Sequence, residues 1–363
     1  MRSDTVTGVS AASAKRSLVL HIGPRKTATT SLQVALASMR DPLRKLGVVY
    51  PGDGKQHFQP INRFIGRRQF WETDVEVEVV ERPWRQVLRE IGDAPHGVIS
   101  TEVLSQARRE HVQRIVDSAP DRTPLVVITY RHFADLLSST WQQLVKEGLR
   151  DSLEEWSRAA VVAHPELSQD PFPRILDLAT LVDIWGGVVG PENVVVILIE
   201  RSQPHAVFNA FEEVLALPQG FLVPDGGAAQ KRSFTAQEAE LLRQTNSLLP
   251  RDRDSLNRHR AFRRSLARWL DEHRPDVDDT RLSLPLDVVE LARERSEEMV
   301  RSVRELSGRI RVFGDLESLL ASRPSPNPDL QVPTTTTTAL AAQWLAMAMQ
   351  PLPDGHADGG SNL

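Results

Sequence analysis

Two hydrophobic periods alternate along the chain. Short apolar runs occur at 18–22 (LVLHI), 47–51 (GVVYP), 97–100 (GVIS), 125–130 (LVVITY) and 193–200 (NVVVILIE). Runs of this length predict strands buried on both faces. Between them apolar residues fall at helical spacing. Thr29–Met39 puts Leu32, Ala35 and Leu36 on one face, and Phe133–Lys146 and Arg174–Trp185 repeat the pattern. Unbroken strands separated by helices predict an α/β domain with a central parallel sheet flanked by helices. Thr235–Leu249 and Leu286–Leu306 read as amphipathic helices that close it.

The ends differ in character. Residues 1–16 are small and polar and predict a disordered leader. The domain is expected over 17–320. Residues 321–363 read as a tail, rich in proline and carrying five consecutive threonines at 334–338. Within it, 338–350 (TALAAQWLAMAMQ) predicts a short apolar helix that docks on the domain or engages a partner.

Composition narrows the classes. With 40 % hydrophobic and 25 % charged residues in 363, the chain has ordinary globular balance. A net charge of −4 lacks the basic excess of a general nucleic-acid binder. The absence of cysteine removes disulfides, thiolate catalysis and cysteine-ligated metals. No apolar run is long enough to cross a bilayer and none has signal-peptide form, so a cytoplasmic protein without a membrane partner is expected. Oligomeric state is not legible, and a homo-oligomer stays open.

The informative segment is 21–33, HIGPRKTATTSLQ. A buried strand enters a loop with Gly23 and Lys26, and the loop opens a helix at a cluster of hydroxyls: Thr27, Thr29, Thr30 and Ser31. The free N–H groups of a first helical turn and the helix dipole make such a junction an anion site. A capped helix with an exposed lysine is the plainer alternative. The loop lacks the G-x-x-x-x-G-K-[ST] spacing of the Walker loop. The strand 125–130 ends in Tyr130-Arg131 and supplies no acid for Mg²⁺, whereas 97–100 is followed by Thr101-Glu102, which leaves room for a kinase.

The segment resembles the 5′-phosphosulfate loop of bacterial-type sulfotransferases that use 3′-phosphoadenosine 5′-phosphosulfate (PAPS), which runs K-[ST]-G-T-[ST] after the first strand. Ala28 stands where that family usually has glycine. Alanine there calls for a negative φ or for a ligand that leaves room for a methyl. A second stretch, 126–148 (VVITYRHFADLLSSTWQQLVKEG), resembles the family's 3′-phosphate motif through Arg131, Asp135 and Ser139. By itself it would read as an i,i+4 surface pair with solvated serines. Segments 175–211 and 231–246 agree less specifically, and the resemblance covers about residues 17–316.

The resemblance implies a three-layer P-loop-like fold and sulfuryl transfer to a hydroxyl of a small molecule or glycan, with no metal. It implies that Gly23, Arg25, Lys26, Thr27, Ala28, Thr29, Thr30 and Ser31 hold the 5′ end of PAPS, Lys26 meeting the bridging oxygen. Arg131 and Ser139 would hold the 3′-phosphate, joined by Lys231 and Arg232, while Asp135 orients Arg131. For the catalytic base, Glu102 sits where relatives place a His or Glu, and His57 is its rival. Each has a plain reading: Glu102 as a first-turn acid, Lys231 and Arg232 as a solvated pair. His21 and His132 read as structural. Phe58, Phe64, Phe70, Trp71, Trp156 and Phe172 read as core before pocket wall, and the basic run 258–269 as a solvated helix face. Two other classes stay open: a P-loop kinase of unusual loop sequence, and a non-catalytic member of the same fold that binds a partner through its tail.

Overall fold

The computed structural model describes residues 16–66, 79–168, 170–200, 202–223, 233–248 and 282–321, with 262, 265, 266, 269, 341 and 344. At its centre six parallel strands lie in the order β2-β3-β1-β4-β5-β6. They are β1 (Ser17–Ile22), β2 (Val48–Val49), β3 (His96–Ser100), β4 (Thr123–Tyr130), β5 (Val194–Leu198) and β6 (Arg311–Phe313). Because every pair is parallel, all strand C-termini lie along one edge. In open α/β sheets that edge is where ligands bind.

The expected parallel α/β sheet is present, with helices on both faces. Along β1, Leu18, Leu20 and Ile22 point into one apolar cluster and Val19 into another. In β4, Val126, Ile128 and Tyr130 join the first and Val127 the second. The second cluster is covered by α1 (Thr29–Ser38), α2 (Arg40–Lys45) and, after β5, a helix at Ala206–Val214. The first is covered by α3 (Phe58–Phe64), α4 (Arg82–Ile91), α5 (Arg109–Asp117), α6 (Phe133–Lys146), α7 (Leu153–Val162), α8 (Phe172–Leu176) and α9 (Leu178–Val189). The Ala206–Val214 helix is α10, and α11 (Ala236–Leu248) and α12 (Leu286–Glu305) complete the first face. Trp84, Trp141 and Trp185 are fully buried there. Truncating a buried Trp to Ala typically costs about 3–5 kcal/mol.

Some elements depart from the sequence reading. The strand expected at 47–51 pairs only through Val48–Val49, as an edge strand. Pro51 has no N–H to continue the ladder. The helix expected at Arg174–Trp185 is two helices. Asp177 stands extended between them, its Oδ1 accepting from Thr180 N at 2.7 Å and its Oδ2 from Arg295 Nε at 2.8 Å. A short acid that can cap a following helix competes with helix continuation. In the tail, Trp344 is buried, its ring 6.2 Å from those of Phe262 and Trp269 and 6.4 Å from Phe234. Residues 1–15 and 322–340 lie outside the described residues. No described helix is long and apolar enough to cross a membrane.

Candidate anion site at the carboxyl edge of the sheet

The loop from Gly23 to Ala28 connects β1 to α1 at the carboxyl edge. Gly23 fits because nothing larger would: a Cβ there would lie 2.5 Å from Thr129 Oγ1 and 2.6 Å from Thr129 O. Two non-glycine residues beyond it are left-handed, Lys26 at φ 71° and Ala28 at φ 59°, while Thr27 between them is not. Alternating handedness turns successive N–H groups toward one concavity, a backbone arrangement that suits an anion. The helix start adds to it. No side chain caps α1 and no acid sits in its first turn. Its leading N–H groups are therefore left for solvent or a ligand.

The sequence reading allowed alanine here with a negative φ or with a ligand that leaves room for a methyl; φ is positive, so only the second condition remains. An L residue in this region costs roughly 1–2 kcal/mol, so the methyl is tolerated against strain.

The hydroxyls of the loop divide into two sets. Thr30 and Ser31 are exposed beside exposed Lys26. Thr27 is fully buried, its Oγ1 donating to Pro24 O at 2.8 Å and lying 2.9 Å from Thr129 Oγ1. Its side chain holds the loop from below, and only its backbone can face an anion. Thr29 Oγ1 donates to Glu102 Oε1 at 2.6 Å. Arg25 forms an ion pair with Glu147, just past the end of α6, where Gln143 Nε2 also donates to Glu147 Oε1 at 2.9 Å. The cradle is thereby tied to the helix that follows β4.

At the end of β4 a second group assembles. Arg131 Nη2 donates to Ser139 Oγ at 2.9 Å and to the Asp135 carbonyl oxygen at 2.7 Å. Ser139 Oγ donates to that carbonyl at 2.7 Å. The eight-residue spacing thus brings Arg131 and Ser139 into contact, and the Asp135 carbonyl oxygen also accepts from the guanidinium. β1 and β4 are neighbours, with Ile22 opposite Ile128, so this group and the cradle leave adjacent strand ends.

The two candidate bases are placed differently. Glu102 is the first residue after the Thr101 cap of a 3₁₀ turn at Glu102–Gln106, half-buried against the cradle through Thr29. His57 is 3 % exposed. Its Nδ1 accepts from Ser100 N at 3.0 Å and its Nε2 donates to Pro51 O at 3.0 Å. Burial pulls its pKa down to about 4. Both ring nitrogens are occupied by backbone, so the rival base of the sequence reading is a neutral structural imidazole.

His21 is 1 % exposed and packs edge-on against Phe211, ring centroids 5.1 Å apart. Lys231, Arg232, Phe70 and Trp71 lie outside the described residues. Phe64 packs on Trp84, Trp156 on Phe172, and Phe58 borders the same core, which is the core reading of these aromatics. An open groove of about 730 Å³ between α9 and α12 shares no residue with the cradle. Among the described residues no three His, Asp or Glu are grouped to hold a metal ion.

Fold and site together define a parallel α/β protein with a candidate anion cradle and a second cationic group at adjacent strand ends. Comparison with family models and with curated proteins finds no match. Among solved structures the chain is similar to a crystal structure of a sulfotransferase from Alicyclobacillus acidocaldarius. The identity is 23 %, over 59 % of this chain and 86 % of that one, with a TM-score of 0.41.

Proposed function

We propose that the protein is a PAPS-dependent sulfotransferase acting on a hydroxyl of a small-molecule or glycan acceptor. One observation carries the reading: the uncapped, left-handed cradle at Lys26–Ala28 stands beside the Arg131–Ser139 pair on the adjacent strand end. A nucleotide with phosphates on both the 5′ and 3′ positions has anions for both groups.

In this reading the backbone N–H groups from Thr27 onward, with the Thr30 and Ser31 hydroxyls, bind the 5′-phosphate. Arg131 grips the 3′-phosphate through a planar fork suited to two hydrogen bonds. That contact lies away from the reacting sulfur and anchors the donor. The acceptor oxygen forms a bond to sulfur as the bond from sulfur to the bridging oxygen breaks. Glu102 takes the acceptor's proton. The leaving electron pair stays on the bridging oxygen, which Lys26 stabilises as charge develops. A sulfuryl group carries less charge than a phosphoryl group, so N–H donors and a lysine suffice without a metal. Acceptor choice falls to the loops at about 50–95 and 147–173.

The test is titration with adenosine 3′,5′-bisphosphate, followed by transfer from PAPS to a panel of hydroxyl acceptors without Mg²⁺. Binding, and turnover abolished by Lys26→Ala, are expected. Absence of bisphosphate binding would sink the reading. The contact of Glu102 with Thr29 favours a second one, a kinase, because it sets an acid beside the loop. Preference for Mg²⁺-ATP over the bisphosphate would select it.

A further inference from the structure

Beneath the cradle lies a run of buried polar groups on an otherwise apolar face. Gln33 Nε2 donates to Ser100 Oγ at 3.2 Å. Ser100 Oγ is 2.7 Å from His21 Nδ1. His21 Nε2 is 3.2 Å from Thr129 Oγ1. Thr129 Oγ1 is 2.9 Å from Thr27 Oγ1, and Thr27 Oγ1 donates to Pro24 O at 2.8 Å. All five side chains are buried. They come from α1, β3, β1, β4 and the loop.

The two ends set the direction of the whole chain. An amide nitrogen only donates, and a carbonyl oxygen only accepts. Thr27 spends its hydrogen on Pro24 O, so it accepts from Thr129. Thr129 then has no hydrogen for His21 and accepts from Nε2–H. Ser100 accepts from Gln33 and gives its own hydrogen to Nδ1. Every group is satisfied with a neutral imidazole carrying its proton on Nε2; the Tyr50 hydroxyl, which donates to Lys55 O at 2.6 Å, is a second polar neighbour of Ser100. Thr129 Oγ1 also lies 3.4 Å from Ile22 O, a longer alternative that would leave Thr27 without its second bond.

We propose that His21 is a positioning residue for the cradle: as the Nε2–H tautomer it links α1 and β3, through Thr129, to Thr27 and Pro24, and so holds the loop curvature that presents its N–H groups. The location explains why such a device is needed. Thr27 is flanked by the left-handed Lys26 and Ala28, and each such residue costs roughly 1–2 kcal/mol. Aligned hydrogen bonds in a dry interior reinforce one another. The chain clamps the one residue between the two strained ones. Its role in nucleotide binding rests on the loop being a phosphosulfate cradle; its existence does not.

Two measurements on the full chain test it. In nitrogen NMR of the unliganded protein at pH 7, Nε2 of His21 should show the protonated-nitrogen shift and Nδ1 the unprotonated one. The opposite tautomer, or an imidazolium, overturns the proposal. Thr129→Val removes the link at nearly constant volume, and Thr129→Ser keeps it. The Val variant should bind adenosine 3′,5′-bisphosphate roughly tenfold more weakly, the equivalent of about one to two hydrogen bonds. Adenosine 3′-phosphate, which lacks the cradle's anion, should bind unchanged, and the Ser variant should recover the loss. Equal loss for both nucleotides, or none for either, overturns the positioning role. If the wild type binds neither nucleotide, the functional reading fails and amide exchange decides instead. Faster exchange over residues 27–33 in the Val variant, at unchanged melting temperature, supports the clamp, and unchanged exchange refutes it.

Discussion

The Thr29 hydroxyl donates a 2.6 Å hydrogen bond to the Glu102 carboxylate, joining the first residue of α1 to the end of β3. These residues are 73 apart in the chain. The bond sets a carboxylate at the rim of the anion cradle. It is the geometric reason to take Glu102 as the base.

Glu102→Gln keeps an amide oxygen for Thr29 and removes the proton acceptor. Turnover should fall by about 10²–10⁴, the range for a lost general base. Affinity for adenosine 3′,5′-bisphosphate should stay within about twofold, a change well below that of a lost hydrogen bond. Unchanged kcat with an intact nucleotide site would remove Glu102 from the mechanism.

Ala28→Gly tests the strain in the loop. At φ 59° glycine has no Cβ to clash, so the variant should be more stable by about 1 kcal/mol in denaturant unfolding. Room at the cradle floor should also raise nucleotide affinity. A destabilised variant would mean that the alanine methyl contributes packing worth more than the strain it causes.

Arg131→Lys keeps the charge but loses the fork that meets Ser139 and the Asp135 carbonyl. Affinity for the bisphosphate should drop by about 1.5–3 kcal/mol, the worth of a charge-assisted bond. Adenosine 5′-phosphosulfate, which has no 3′-phosphate, should bind wild type and variant alike. A parallel loss for both ligands would place Arg131 away from the 3′ end.

Two buried histidines contribute to the acid response. Burial lowers the pKa of His21 to about 3 and of His57 to about 4, from the ordinary histidine value of 6.5. Below pH 6.5 the unfolded chain takes up protons that the folded one refuses. Stability is therefore full above pH 6.5 and declines as pH falls toward 4, by about 1.4 kcal/mol per pH unit for each histidine. Urea unfolding at pH 6.5, 5.5 and 4.5 reads the slope. Stability that does not change across this window would contradict neutral burial of both rings.

Much of the candidate site's geometry was legible because its parts are local. Gly23, Lys26 and the hydroxyls lie within one strand-to-helix turn, and Arg131 and Ser139 lie two helical turns apart. Periodicity alone places such residues on one edge. The rest depends on residues far apart meeting. His57 was the rival base in the sequence, yet its nitrogens meet the Ser100 and Pro51 backbone. Arg25 and Glu147 are 122 residues apart, and nothing in either segment announces the other. The three-residue β6 has no apolar run to betray it and exists only because β5 offers an open edge.

By itself the sequence determined the parallel α/β sheet, since unbroken apolar strands must be covered on both faces. It also marked the loop as a candidate anion site, because glycine, lysine and hydroxyls crowd one helix start. Only the tertiary structure decided what each hydroxyl does. Thr27 and Thr29 are two residues apart and chemically alike. Thr27 turns down to Thr129 and Pro24, and Thr29 turns across to Glu102. A hydroxyl serves whichever acceptor the fold brings within about 3 Å, and strand order set those neighbours.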